Sequence, residues 1–111
     1  MIGVTEEMLR EMTEAIAAEV APERIYLFGS CAQGHVTADS DVDLLVVESE
    51  AFGPEHSRWR ELKRIRKALG RFRVPKDILV YSRDEVARWE GSANHIVAHC
   101  LRQGRLVYER P

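Results

Sequence analysis

Residues 29–43, GSCAQGHVTADSDVD, join two short apolar segments at 24–28 and 41–47. Both segments are rich in branched and aromatic residues and are bounded by turn-forming residues, which predicts two β-strands. Gly29 ends the first strand and has no Cβ, so the backbone can approach a ligand closely at this point. Ser30 is then expected to open a short helical turn, where free N–H groups and a hydroxyl can bind phosphate oxygens.

Asp41 and Asp43 flank Val42 at the entry to the second strand. Because successive side chains of a strand point to opposite faces, the two carboxylates are expected to share one face. Like charges this close repel each other unless a cation lies between them, and paired carboxylates suit Mg²⁺. Asp77 precedes the apolar run 78–80 and supplies a third acid at the entry to a later strand. A phosphate pocket beside such acids predicts metal-assisted phosphoryl transfer.

Helical and strand patterns alternate along the chain and predict a single α/β domain over residues 1–111. We expect a two-layer, mixed sheet of three or four strands, with helices packed mainly on one face. Trp59 and Trp89 are expected to anchor helix faces. The predicted strands are 24–28, 41–47 and 77–81, with a short tail at 106–108. The first predicted helix runs from the N-cap Thr5 to Pro22, and the second covers 55–71. A short helix from Ser82 or Asp84 to Trp89 and a last helix at 92–103, followed by Gly104, complete the prediction.

The composition is that of an ordinary soluble globular protein, with 45% hydrophobic and 31% charged residues in 111. A formal net charge of −2 argues against a general binder of polyanions. No apolar run approaches a membrane span, and the first residues do not resemble a leader, so a cytoplasmic location is expected. Cys31 and Cys100 lie far apart in sequence and are expected to be reduced thiols.

The basic residues are concentrated in one segment. Residues 58–76 contain nine basic side chains and a single acidic one, Glu61. The segment is either an ordinary solvated helix face or a surface that attracts an anion, such as an acidic partner protein, a second copy of the chain or a triphosphate. Nucleic acid is a weaker alternative, because no aromatic residues are interleaved with the basic ones for base stacking.

Gly29–Ser30, Asp41-Val42-Asp43 and Asp77 together resemble the signature of the DNA polymerase beta-like nucleotidyltransferase superfamily, and especially its minimal nucleotidyltransferases. The resemblance implies that Asp41 and Asp43 bind two Mg²⁺ ions and that Asp77 completes the catalytic metal site. It also implies that Gly29 and Ser30 hold the β- and γ-phosphates of a nucleoside triphosphate, with ATP expected. An acceptor hydroxyl would then attack the α-phosphorus and release pyrophosphate.

The same resemblance implies a partner. Minimal nucleotidyltransferases are often antitoxins encoded beside a HEPN-type ribonuclease toxin, and some of them silence the toxin by adding AMP to a tyrosine. An antitoxin that modifies a HEPN-type protein is therefore the leading expectation, and a chain this small has little surface for shaping its own acceptor pocket. Two alternatives stay open: an enzyme that modifies a small-molecule hydroxyl, as aminoglycoside nucleotidyltransferases do, and a non-catalytic subunit that binds nucleotide or partner.

The sequence departs from the family pattern in the phosphate loop. This loop commonly reads Gly-Ser-Arg-Ala-Arg-Gly, whereas Cys31 and Gln33 stand here at the two arginine positions. Phosphate binding would then depend on backbone N–H groups, metal and basic residues elsewhere, which puts turnover in question. His95 and His99 have the spacing of a metal pair, but no glutamate follows His95, so surface or packing roles are expected for both.

Overall fold

Four β-strands and four α-helices make up the described part of the chain, which comprises residues 4–33 and 41–111 of a computed structural model. Within these ranges, no helix combines the length and apolar character needed to cross a membrane. In chain order, the elements are α1 (Glu6–Val20), β1 (Arg24–Phe28), a 3₁₀ turn (Ser30–Gln33), β2 (Val42–Glu48), α2 (Arg58–Ala68), β3 (Lys76–Ser82), α3 (Arg83–Trp89), α4 (Ile96–Gln103) and β4 (Arg105–Glu109).

The strands form one mixed sheet in the order β3-β2-β1-β4. Strand β1 is antiparallel to both β2 and β4, whereas β2 and β3 are parallel. A parallel pair requires a long crossover connection, and α2 provides it here. The predicted mixed sheet is therefore confirmed, and the tail expected at 106–108 is the fourth strand.

The two faces of the sheet are covered unequally. Helices α1 and α2 contribute to the larger core, together with Ile25 and Leu27 of β1 and the alternate residues of β2 and β3. The smaller cluster on the other face contains Leu45, Val47 and Cys100, with Val86 of α3 at its edge. The two longer helices and the larger core thus lie on one face, as predicted, while the shorter α3 and α4 cover part of the other. Strand β2 is buried on both faces, which explains its uninterrupted apolar run.

The helix ends follow local signals in the sequence. Thr5 caps α1 by accepting a hydrogen bond from the backbone N–H of Met8 at 3.0 Å. Ser82 and Glu85 form a reciprocal capping box at the start of α3. Gly104 follows α4 as predicted, but its backbone is extended. A Cβ at this position would lie 2.3 Å from the carbonyl oxygen of Cys100, so close packing explains the glycine.

The expectation that Trp59 anchors α2 is wrong. Its side chain is 63% exposed, whereas Glu61 and Ile65 are buried. The inward face of α2 follows Glu61, Ile65 and Leu69 at intervals of four residues. A helix turns by about 100° per residue, so Trp59, two residues before Glu61, lies on the opposite side. The apolar pattern failed because a glutamate occupies an inward position of this helix.

Candidate functional site

Asp43 and Asp77 lie side by side at the amino-terminal ends of the two parallel strands. They are direct partners in the register between β2 and β3. Asp41 immediately precedes β2 and is exposed, as is Asp77, while Asp43 is partly buried. Asp43 and Asp77 share the face of the sheet that carries Leu45 and α4, because strand residues alternate. The structure therefore brings together the acids that the sequence singled out.

The three carboxylates interact electrostatically. Burial raises the pKa of Asp43, and the negative charges of Asp77 and Asp41 raise it further. Placing acids this close is unfavourable unless a cation neutralises them. Carboxylate oxygens that are partly exposed at the ends of strands are typical Mg²⁺ ligands in proteins. The residues present therefore fit a divalent-metal site.

Gly29 packs directly against this site. Its φ of +73° lies in the left-handed region, which side chains with a Cβ rarely adopt. A Cβ built at Gly29 would lie 2.3 Å from the Oδ2 atom of Asp43. The glycine is thus required twice, by its backbone conformation and by the carboxylate beside it. The sequence predicted a close approach to a ligand, and the structure places the Gly29 backbone against one of the predicted metal ligands.

The 3₁₀ turn begins at Ser30, so the predicted helical turn after Gly29 is confirmed for the backbone. The side chains of Ser30 and Gln33, and residues 34–40, lie outside the described part of the chain. The role of the Ser30 hydroxyl in phosphate binding stays a prediction.

Cys31 connects the 3₁₀ turn to the acidic site. Its side chain is only 2% exposed, and its thiol donates a hydrogen bond to the backbone oxygen of Asp41 at 3.2 Å. Sequence reasoning treated Cys31 as the loss of an arginine and missed this contact, which joins the phosphate loop to the first aspartate. A cysteine within an otherwise polar loop was the available signal, because cysteine often behaves as a small buried hydrophobe.

Cys31 and Cys100 are both buried free thiols. Burial raises the pKa of Cys31, and the charge of Asp43 adds to this effect. The same two causes raise the pKa of Cys100 to about 11. The thiols are therefore protonated near neutral pH, and both lie within electrostatic reach of the acidic site.

His95 precedes α4 and His99 lies within it, and they take the packing and surface positions that the sequence suggested. The imidazole of His95 accepts a hydrogen bond from the backbone N–H of Val97 at 3.1 Å and thereby caps α4. It also stacks on Trp89, with ring centroids 4.4 Å apart. His99 is exposed. Trp89 thus packs at a helix contact, as predicted, although its partner is a histidine of α4.

Sequence reasoning missed a second cluster of polar side chains, formed by Glu48, His56 and Glu61. Burial and the neighbouring carboxylate of Glu61 raise the pKa of Glu48 to about 8. The three residues come from a strand, a turn and a helix, so their spacing along the chain does not predict that they lie together. The one signal was Glu48 itself, an acid that directly follows a buried apolar run.

Comparisons of structure find several solved structures with the same fold. A proposed nucleotidyltransferase from Sulfolobus solfataricus is 22% identical and has a TM-score of 0.63, over 94% of this chain and 79% of that one. A toxin–antitoxin complex with AMP-PNP contains a chain that is 21% identical, with a TM-score of 0.55 over 91% of this chain and 73% of that one.

A third similar structure is a complex of a tri-AMPylated HEPN toxin from Shewanella oneidensis with an MNT antitoxin. The matching chain is 19% identical, with a TM-score of 0.51, over 94% of this chain and 73% of that one. At these identities the likenesses establish the fold.

Comparison of the sequence with family models is decisive. No curated protein matches the chain in sequence. The model described as "Polymerase beta, Nucleotidyltransferase" matches residues 10–111, which include every acid of the candidate site. This match confirms the prediction that the chain is a nucleotidyltransferase. The chain belongs to the polymerase beta nucleotidyltransferase family.

Proposed function

We propose that this chain transfers AMP from ATP to a hydroxyl group of a HEPN-type partner protein, in a reaction that requires Mg²⁺. The observation that carries the proposal is the pairing of Asp43 with Asp77 across two parallel strands, with the backbone of Gly29 against Asp43. Carboxylates beside a glycine-led turn suit an enzyme that holds a metal-bound triphosphate.

Different residues of the chain would bind the metal ions and the phosphates. Asp41 and Asp43 would hold two Mg²⁺ ions, and Asp77 would complete the catalytic site. Bound Mg²⁺ supplies positive charge that offsets the charge on the phosphate oxygens. Backbone N–H groups at Gly29 and Ser30 would bind the β- and γ-phosphates. The acceptor oxygen bonds to the α-phosphorus and loses its proton, while the bond from that phosphorus to pyrophosphate breaks.

The proposal of a HEPN-type partner draws on the similar structures and on one surface of α2. Two of the structures described above are toxin–antitoxin complexes, and one of them contains a HEPN toxin modified with AMP. On α2, the exposed Trp59 lies beside a cavity of about 480 Å³. Arg60, Lys63 and Lys67 also line this cavity. Tryptophan and arginine are enriched in protein interfaces, and the two lysines add positive charge that would attract an acidic partner.

Other basic residues of the segment 58–76 interact within the chain. Arg58 pairs with Glu85, and its guanidinium lies 4.7 Å from the ring centre of Phe52. Arg64 pairs with both Glu19 and Glu61. Arg60, Lys63 and Lys67 of the same helix line the cavity beside Trp59, and we name this surface the Trp59 face: Trp59, Arg60, Lys63 and Lys67.

The test of function measures transfer directly. The chain is incubated with Mg²⁺, ATP and the HEPN-type protein encoded beside it, and the intact mass of each protein is recorded. We expect the partner to gain the mass of one or more AMP groups, and we expect chelation of Mg²⁺ to prevent this gain. A stable complex with unchanged masses would contradict transfer and would favour the non-catalytic alternative.

Ser30 provides a prediction for the phosphate loop. Removing one hydrogen bond to a charged phosphate costs about 1.5–3 kcal/mol, so Ser30→Ala should bind ATP roughly 10- to 100-fold more weakly. Ser30→Glu should bind far more weakly still, because a carboxylate would replace a donor at the triphosphate. Calorimetric titration with Mg–ATP measures both effects. Wild-type affinity in the glutamate variant would place the phosphates elsewhere.

Charge reversal on the Trp59 face tests the docking surface. The triple variant Arg60→Glu, Lys63→Glu, Lys67→Glu should associate with the HEPN-type partner at least about 10-fold more slowly at low salt, because steering forces are lost. Binding of Mg–ATP should not change. Stopped-flow association rates at several salt concentrations provide the measurement.

The control for this experiment carries the same change in net charge outside α2. Its three positions are exposed arginines, namely Arg73, Arg88 and Arg102, each changed to Glu. Equal rates for the two triple variants would show that only total charge matters. The Trp59 face would then be an ordinary solvated helix surface.

A further inference from the structure

Glu48, His56 and Glu61 bring their side chains together on the face of the sheet opposite to the aspartates. One ligand atom from each residue lies within 4.8 Å of the others. Glu48 ends β2, His56 lies in the turn before α2, and Glu61 lies in the first turn of α2. Asp43 is five residues before Glu48 in the same strand, which corresponds to about 16 Å. The cluster is thus separate from the candidate active site.

The cluster contains buried polar atoms that lack partners. Glu48 is 4% exposed and Glu61 is 5% exposed. Within residues 4–33 and 41–111, neither Oε2 of Glu48 nor Nε2 of His56 has a hydrogen-bond partner. Nε2 lies 3.2 Å from Oε1 of Glu48, but the geometry of this contact is not that of a hydrogen bond. Buried polar atoms are nearly always satisfied, so an additional ligand is expected here.

The imidazole of His56 is held in a fixed position. Its backbone pairs with that of Gly53 through two hydrogen bonds of 2.9 and 3.1 Å. The ring stacks on Phe52, with centroids 4.9 Å apart and planes within 7°. The Nδ1 atom faces the carboxylate of Glu50 at 3.7 Å, which leaves Nε2 directed towards Glu48. Metal-binding histidines usually present their second nitrogen to a carboxylate in this way.

The carboxyl groups around His56 outnumber the arginine side chains that pair with them. When ionised, Glu48, Glu50 and Glu61 contribute three negative charges around His56. The guanidinium of Arg64 lies 3.0 Å from Oε2 of Glu61 and is shared with Glu19. One shared guanidinium cannot compensate the two buried carboxyl groups, those of Glu48 and Glu61, when both are ionised. A divalent cation would supply the missing positive charge.

We propose that Glu48, His56 and Glu61 bind a divalent transition-metal ion of the Zn²⁺ type, with a fourth position open to water. One imidazole nitrogen with two carboxylate oxygens suits Zn²⁺, whereas Mg²⁺ prefers oxygen ligands alone. Two ligands at about 2.0–2.2 Å from one tetrahedral ion lie about 3.3 Å apart. The observed 3.2 Å between Nε2 and Oε1 of Glu48 matches this spacing. The ion would connect β2, the turn before α2, and α2.

The test uses Zn²⁺ and a background in which the aspartate site cannot bind it. The full chain with Asp41→Asn and Asp43→Asn is stripped with a chelator and then titrated with Zn²⁺ in a calorimeter. We expect one equivalent to bind, excess Mg²⁺ not to displace it, and Zn²⁺ to raise the melting temperature. Absence of Zn²⁺ binding would overturn the proposal.

Variants assign the ligands. In this background, Glu48→Gln and His56→Ala should each weaken Zn²⁺ binding by about 100-fold or more, since even outer-shell changes cost 10- to 100-fold. The matched controls Glu55→Gln and His99→Ala change exposed residues and should bind like the parent. Should His56→Ala fail to fold, the nearly isosteric Glu48→Gln decides the question. Undiminished binding in Glu48→Gln would place the ion elsewhere, for example at the thiols, and would refute the site.

Discussion

The double variant Asp41→Asn, Asp43→Asn is expected to fold normally and to lose ATP binding that depends on Mg²⁺. Neutral amides keep the size of the side chains but remove the charge that holds a divalent cation. Because both predicted ligands change together, affinity for Mg–ATP should fall by about 100-fold or more, and AMP transfer should become undetectable. Calorimetric titration and the mass assay with the partner measure these two effects.

The same variant makes a prediction for stability. Without metal, it should melt at a higher temperature than the wild type, because burial and the adjacent acids disfavour the ionised form of Asp43. The control is Glu55→Gln with Glu90→Gln, which removes the same charge from exposed positions. Retained Mg–ATP affinity in the aspartate variant would refute the site. A metal-free melting temperature no higher than that of the control would show that the acids do not repel each other appreciably.

Much of the fold could be predicted because short apolar runs bounded by turn residues identify strands. The first strand has the predicted bounds, and the second and third differ from prediction by one residue at each end. The prediction for α2 was less accurate at both ends. Ser57 caps this helix only after the paired turn between Gly53 and His56, so α2 begins at Arg58. A turn formed by backbone pairing leaves little trace in composition.

The first turn of the inward face of α2 could not be read from apolar periodicity, whereas Ile65 and Leu69 follow the apolar pattern and are buried. The buried Glu61 lies beside Glu48 of β2 and His56 of the preceding turn, and it pairs with Arg64 of its own helix. Periodicity assumes that the buried stripe is apolar. Where a polar cluster forms part of the interior, periodicity misses the polar residue, and here it assigned Trp59 to the buried face in place of Glu61.

The acidic site was partly predictable for a topological reason. Asp43 and Asp77 each stand at the head of an apolar strand, and two such strands joined by a helix are expected to run parallel in one sheet, with their first residues at the same end. The contacts of Cys31 with Asp41, and of Gly29 with Asp43, depend instead on how the turn folds back onto β2. Spacing along the sequence carries no such three-dimensional information, so these supporting contacts required the structure.

Gly29→Ala should reduce AMP transfer by about 100-fold, which is a large effect for one methyl group. The added Cβ would lie 2.3 Å from Oδ2 of Asp43, so the carboxylate must move. A displacement of about 1 Å at a catalytic group can cost about 100-fold in rate. The left-handed backbone, with φ of +73°, should also lower the free energy of unfolding by about 1–2 kcal/mol. Urea denaturation and the transfer assay measure the two effects.

The two causes can be separated by a second substitution. In an Asp43→Ala background the carboxylate is absent. Gly29→Ala should then lower the free energy of unfolding only through its backbone conformation, and no longer through the contact with Asp43. The destabilisation by Gly29→Ala should therefore be smaller in that background than in the wild type. Gly91→Ala is the matched control, because a Cβ there meets nothing within 4 Å. An equal cost of Gly29→Ala in both backgrounds would show that the glycine serves the backbone turn alone, and that Asp43 does not require its close approach.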